Sequence, residues 1–299
     1  MSVRHPIIAV TGASGAGRES VRFVFDRLFR REGITAAYVA GESFHRFDRT
    51  EFKAAEAEAA ASGNPHFSHF GPDANLFDEQ ERLYRDYGQS GTGRRRHYLH
   101  GDDDGRRLGY PELGGGRFTP WEDLPQDTDL MLYEGLHGVV RGDGFDLGKH
   151  VDLKIGMVPI INLEWIQKVH RDTAKRGYSR EAVMDRILHR MHDYTHYILP
   201  QFKHSDINFQ HVPVVDTSEP FIARDIPAVD ERVVVIRFRK PEEMGVDFPL
   251  LLRKIAGSWM TRRNTLVVPG GKRELAKELI LTPILRRLMD RRAEVRGAA

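Results

Sequence analysis

The sequence predicts a wound α/β fold, and three observations carry that expectation. Short apolar runs of strand character alternate with helical stretches along the chain, the pattern of βαβ units. The first run, Ile7 to Val10, passes at once into a glycine-rich turn and then a helix. A later run, Leu130 to Tyr133, closes on a carboxylate, Glu134. Nucleotide-binding α/β proteins often place a metal-facing acid at that point.

The first unit is the most informative. After the strand come Gly12, Ala13, Ser14, Gly15, Ala16 and Gly17, then Arg18, Glu19 and Ser20. Glycines let backbone N–H groups turn inward, and a helix N-terminus adds partial positive charge, so the turn suits phosphate. Against G-x-x-x-x-G-K-[ST] both glycines match and both side-chain positions differ. Arg18 stands for the lysine and keeps a cation able to fork onto phosphate oxygens. Glu19 stands for the hydroxyl that would meet Mg²⁺. Ser20 does not replace it, because one helical residue turns the side chain by ~100°. A plain turn between strand and helix is the competing reading.

Length and composition narrow the class. The 299 residues, 40% of them apolar, suffice for one large α/β domain with a sizeable core. We read residues 1–299 as one domain, without repeat, low-complexity block or linker. No apolar run approaches the ~20 residues of a membrane span, and no secretory signal is recognisable. The chain has no cysteine, which excludes disulfides and thiolate metal sites and fits a reducing compartment. The expectation is a cytoplasmic protein with no membrane partner. With 45 basic and 43 acidic residues, no overall field points to nucleic acid. Arg94–Arg96 and Arg262–Arg263 are local clusters, either solvated faces or contacts for a small phosphate-bearing ligand.

The remaining elements follow in order. Ala36 to Val39 reads as a second strand, and the residues just past it, Glu42, His45, Arg46 and Arg49, face the crevice of a wound sheet. Glu51 to Ala61 reads as an exposed helix, and 63–75 as a loop whose His66, His69 and Asp73 match no recognised metal-ligand spacing. Phe77 to Tyr87 is helical. Residues 90–116 read as a long loop with a ribbon near His97 to His100, and loops of that length are usually functional or mobile. Asp152 to Val158 is a strand. In the helix Leu163 to Arg171, Lys168, Arg171 and the adjoining Asp172 fall on neighbouring faces, with Arg176 beyond; they form either an anion site or a surface ion-pair network. A long helix is expected over 180–197, strand within 201–216, late strands at 233–237 and 266–268, and a closing helix over 272–292.

These stretches together resemble the bacterial phosphoribulokinases over essentially the whole length. The resemblance rests on residues 5–12 (HPIIAVTG), 43–46 (SFHR), 67–70 (FSHF), 133–138 (YEGLHG), 161–168 (INLEWIQK), 176–178 (RGY), 214–218 (VVDTS) and 234–238 (VVIRF). It implies a P-loop, three-layer fold with a twisted, mostly parallel mixed sheet and helices on both faces. It also implies transfer of the γ-phosphoryl of ATP, with Mg²⁺, to the 1-hydroxyl of ribulose 5-phosphate in the Calvin cycle of carbon fixation. By resemblance, Gly12 to Gly17 cradle the ATP phosphates, while His45, Arg49, Lys168 and Arg176 hold the sugar phosphate or the migrating phosphoryl. Arg171 and Asp172 stand at the catalytic centre, Glu134 near Mg²⁺, and His100 along the sugar-phosphate site. Bacterial members are homo-oligomers that respond to NADH and adenine nucleotides, and Arg31, Arg237 and Arg262 match the regulatory arginines.

The departures are specific. The family loop continues Gly-Thr-[Ser/Thr] where this chain has Gly17-Arg18-Glu19, and the family's general base is an Asp where this chain has Glu42. His189, His211 and Glu219 also replace usual residues. In one reading Glu42 is the base, Arg18 restores a cation and Glu19 meets Mg²⁺ directly. In the other, the chain is an impaired paralogue that binds nucleotide or sugar phosphate as a regulatory or scaffold subunit. A kinase for another small hydroxylated acceptor is a third. A glutamate keeps the proton-accepting group and a similar intrinsic pKa. The retained charges favour the first reading, since clustered like charges cost stability unless an anion meets them.

Overall fold

A computed structural model describes residues 4–13 and 18–297, and the side chains of these except 18–20, 175 and 176. Eight strands form the main sheet: β1 Ile7–Thr11, β2 Ala36–Ala40, β3 Leu130–Gly135, β4 Leu153–Val158, β5 Ile207–Pro213, β6 Arg232–Phe238, β7 Trp259–Arg262 and β8 Thr265–Pro269. Their order is β7-β8-β6-β5-β4-β1-β3-β2. Strands β2, β3, β1, β4 and β5 run parallel; β6, β8 and β7 add antiparallel pairings.

The helices are α1 Arg18–Glu32, α2 Arg49–Ala61, α3 Phe77–Ser90, α4 Asp102–Leu108, α5 Ile161–Arg176, α6 Arg180–His189, α7 Phe248–Lys254 and α8 Arg273–Gly297. Every residue of β1 is buried, and its alternation explains the unbroken apolar run. Ile8 and Val10 join a core with Val21, Phe25 and Leu28 of α1 and with Leu281 and Leu285 of α8. Ile7 and Ala9 point the other way, into a second core with Leu83, Tyr84 and Tyr87 of α3. A strand covered on both faces has no solvent side to mark with polar residues. Side chains such as Phe25, with no exposed surface, each contribute roughly 1.5–3 kcal/mol by burial.

Several sequence expectations change in detail. The long helix of 180–197 stops at His189; a short helical turn follows, then a π-helical stretch at Tyr194–Ile198. The strand expected from 201 begins at Ile207, because Leu199–Lys203 is a 3₁₀ turn with Pro200 at its start. The ribbon lies at Arg94–Arg95, paired with Glu122–Asp123, and Tyr98 makes one bridge to Phe118. Inside the long loop sits α4, with three aspartates in its first turn and two arginines in its last, the charge order its dipole favours. Among the described residues no group of three or more His, Asp or Glu is placed to hold a metal. His66 stacks on His192 at 4.2 Å and His69 on Phe52 at 3.7 Å. No helix among the described residues is long and apolar enough to cross a membrane.

Candidate active site

A cavity of about 680 Å³ opens over the C-terminal ends of β2 and β3, the edge where wound sheets bind ligands. Two glycines let those strand ends meet. A Cβ on Gly41 would stand 2.8 Å from the Gly135 Cα and 2.5 Å from the Tyr133 hydroxyl. Gly12, at the exit of β1, passes so close to β4 that a Cβ would meet the Met157 carbonyl at 2.6 Å. Ala13 packs in a small apolar core with Tyr194, Ile198 and Phe202. Ser14, Gly15, Ala16 and Gly17 lie outside the described residues, as do the side chains of Arg18, Glu19, Ser20 and Arg176.

One wall follows β2. The chain leaves the strand through the 3₁₀ turn Gly41–Phe44, which carries Glu42 into the cavity. His100, from the long loop, approaches the Glu42 carboxylate at 3.4 Å. Arg49 opens α2, whose N-terminus is fixed by the Asp48–Glu51 capping box. Its guanidinium donates to the His100 carbonyl at 3.1 Å, which ties Arg49 to the backbone of the long loop.

His45 is buried, with Nδ1 2.9 Å from Asn75 Oδ1. Asn75 Nδ2 donates to the carbonyls of His69 and Gly71, which fixes Oδ1 as the atom facing His45. The imidazole is therefore the Nδ1–H tautomer, with its lone pair on Nε2. Burial pushes its pKa below the ordinary value; the Asn75 bond and Glu42 oppose this without reversing it.

The other wall is α5. Lys168, Arg171 and Asp172 stand at i, i+3 and i+4, so one carboxylate gathers two cations. Asp172 is 1% exposed, with Oδ2 2.6 Å from Lys168 Nζ and Oδ1 2.9 Å from Arg171 Nε. Burial works to raise the Asp172 carboxyl, but hydrogen bonds from Arg171 and Lys168 hold it below the usual carboxylate range. Burial lowers Lys168, partly offset by Asp172. Lys168 and Arg171 both line the cavity. Glu134 lines it from the end of β3.

The comparisons with known proteins agree with this geometry. A family model described as phosphoribulokinase / uridine kinase family matches residues 7–218. The chain is 56% identical over 292 residues to the chromosomal phosphoribulokinase of Cupriavidus necator, covering 98% of each chain. It is 55% identical over 289 residues to phosphoribulokinase 1 of Cereibacter sphaeroides, covering 97% of this chain and 98% of that one. The solved phosphoribulokinase of Rhodobacter spheroides is similar with a TM-score of 0.88 and 52% identity, over 98% of this chain and 100% of that one. The chain belongs to the phosphoribulokinase / uridine kinase family. The P-loop kinase fold expected from the sequence is the one it has. Membership of a kinase family makes the chain a phosphotransferase and implies ATP with Mg²⁺.

Against that family frame, the cavity brings together Glu42, His45, His100, Glu134, Lys168 and Arg171, with Asp172 behind the two cations and Arg49 behind His100. Arg31 pairs with Glu32 and Glu278 on the outside of α1. Arg237 and Arg262 are exposed and flank Thr265 from neighbouring strands, away from the cavity. Sequence reasoning missed Arg190, Glu164 and Tyr194, which also line the cavity. Tyr194 donates to Glu164 at 3.0 Å. Only the periodicity of 183–198 hinted at an inward face there. It missed Arg96 as well, treating Arg94–Arg96 as a patch for solvent or phosphate. Arg95 instead pairs with Glu122 and the Tyr38 carbonyl, and Arg96 turns inward.

Proposed function

We propose that this chain is a phosphoribulokinase, transferring the γ-phosphoryl of ATP to the 1-hydroxyl of D-ribulose 5-phosphate. The observation that carries the reading is the pairing of an accessible carboxylate, Glu42, with a preformed cation cluster on α5 across one cavity. Phosphoryl transfer asks for that division, a group to orient and deprotonate the hydroxyl and positive charge where the phosphoryl travels.

The residues present fit the implied groups. Lys168 and Arg171, which line the cavity, are the cations for phosphate oxygens. Glu134 would supply the oxygen donor that Mg²⁺ prefers, with Glu19 as a second candidate from its place at the start of α1. Mg²⁺ when bound neutralises charge on the transferring phosphates. Glu42 takes the proton of the acceptor hydroxyl as its oxygen bonds to the γ-phosphorus; the bond to the β-phosphate oxygen breaks and ADP leaves. Asp172 holds Lys168 and Arg171 in place, so no reorganisation is needed as charge develops. Arg49, His100 and Arg176 hold the sugar phosphate. With its proton on Nδ1, His45 offers a lone pair at Nε2, so we assign it to a hydroxyl of the sugar and not to a phosphate oxygen.

We read residues 1–299 as one kinase domain, since both cores share one sheet. Assembly into a homo-oligomer activated by NADH belongs to the same proposal. Its support is the exposed pair Arg237 and Arg262 around Thr265, with Arg31 engaged by α8.

The test is coupled ADP release with Mg·ATP, with and without ribulose 5-phosphate, and with NADH added in parallel. Release that depends on ribulose 5-phosphate is expected. A folded protein that stays silent under every condition is instead the nucleotide- or sugar-phosphate-binding paralogue.

A further inference from the structure

We infer that Arg96 is a positioning residue for the reacting groups, holding the Glu42–His45 turn and the loop segment that carries His100 in one register. The inference rests on the kinase reading above.

The guanidinium of Arg96 donates from Nε to the Ser43 carbonyl at 3.0 Å and from Nη2 to the His45 carbonyl at 2.5 Å. In return the Ser43 hydroxyl donates to the Arg96 carbonyl at 2.5 Å. The turn's other carbonyls are also taken: Glu42 accepts from the His45 amide and Phe44 from the Leu76 amide. The planar, forked guanidinium suits two carbonyls two residues apart, and the pair ties down Ser43 to His45, directly after Glu42.

The same arginine is fixed from behind. Its Cζ lies 3.7 Å from the Phe118 ring centroid and 5.0 Å from that of Trp121. That stacking suits a half-dehydrated guanidinium. From Arg96 the backbone runs to His100 through a tied segment. The His97 amide donates to Thr119 Oγ1, and Leu99 exchanges bonds with Arg117 and Gly116. Through Arg96, the turn that carries Glu42 is thus locked to the loop segment that delivers His100. Displacing a reacting group by ~1 Å can cost on the order of 10²-fold in rate.

Arg96→Lys keeps the charge and loses the fork. We expect kcat for ribulose 5-phosphate-dependent ADP release to fall ~10²-fold, with KM for Mg·ATP within ~3-fold of the parent. A residue that only supports the fold would lower the melting temperature and leave kcat per folded molecule unchanged; that result overturns the proposal. The decisive readout is a double-mutant cycle with Glu42→Gln, followed by single-turnover transfer of a labelled phosphoryl group. If Arg96 acts through Glu42, adding Arg96→Lys to Glu42→Gln costs less than ~3-fold. An equal cost on both backgrounds refutes the coupling. Failure of the unmodified chain to release ADP with ribulose 5-phosphate would instead remove the kinase reading beneath it.

Discussion

On the α5 wall Asp172 is 1% exposed and has both cations within 2.9 Å. On the β2 wall the Glu42 side chain is 41% exposed, and His100 stands 3.4 Å away on a loop. The first wall is built before any ligand arrives; the second waits for the acceptor. The contrast matches their tasks, because charge stabilisation benefits from preorganisation, whereas a base has to admit substrate and then release its proton to solvent. Tight packing at Glu42 would obstruct both.

The contrast breaks if the two carboxylates respond alike to loss of charge. Glu42→Gln should lower kcat by ~10²- to 10⁴-fold, the range of general-base catalysis, with the melting temperature and Mg·ATP binding unchanged. Asp172→Asn should lower kcat and also destabilise the fold, by about 1–3 kcal/mol, because it takes the buried acceptor from two partly buried cations. Calorimetry beside steady-state kinetics separates the two. Equal stability losses would mean that the β2 wall is as preorganised as α5. The Asp172 carboxyl lies below its unfolded value, so its stabilisation is complete above the ordinary carboxylate pKa and lost as pH falls through the depressed one. Asp172 should therefore stay ionised through neutrality.

Much of this division was legible in the sequence, and the illegible parts have physical reasons. The i, i+3, i+4 spacing of Lys168, Arg171 and Asp172 fixes their proximity on any helix. Glu42 and His45 follow from lying just past a strand. The break at Arg190 was invisible, since Val183, Ile187, Met191, Tyr194 and Ile198 keep an unbroken helical period while the backbone turns aside at φ −85° and ψ −5°. Helix α4 has almost no apolar stripe and is betrayed only by its charge order. Arg96 carries no local signal, because its role consists of two carbonyls some fifty residues away.

The acceptor side can be sharpened through His45. Burial keeps its pKa below the ordinary value, so the neutral ring persists at neutral pH and is lost only as pH falls through the depressed value. KM for ribulose 5-phosphate should be flat near neutrality and climb on the acid side. Asn75→Asp places a carboxylate against Nδ1, which should raise the imidazole pKa and start the climb at higher pH. An acid limb that stays put would remove His45 from acceptor binding.

The smallest expected effect concerns the nucleotide end, where Arg18 and Glu19 depart from the G-x-x-x-x-G-K-[ST] pattern. Glu19 belongs to the first turn of α1, where free N–H groups and the helix dipole favour negative charge. Without nucleotide, a glutamate there stabilises the helix by ~0.3–1 kcal/mol. With nucleotide, a negative charge at this position opposes that of the phosphates. Glu19→Thr should therefore lower the Kd for Mg·ATP only ~2- to 5-fold, the scale of one partly screened charge contact, and lower the melting temperature slightly. Titration calorimetry at two salt concentrations reads both parts, because the repulsive share shrinks as salt rises. If binding weakens instead, Glu19 is a metal ligand. The nucleotide end would then match the α5 wall in using a fixed carboxylate to hold positive charge, and the β2 wall would be the one open side of the site.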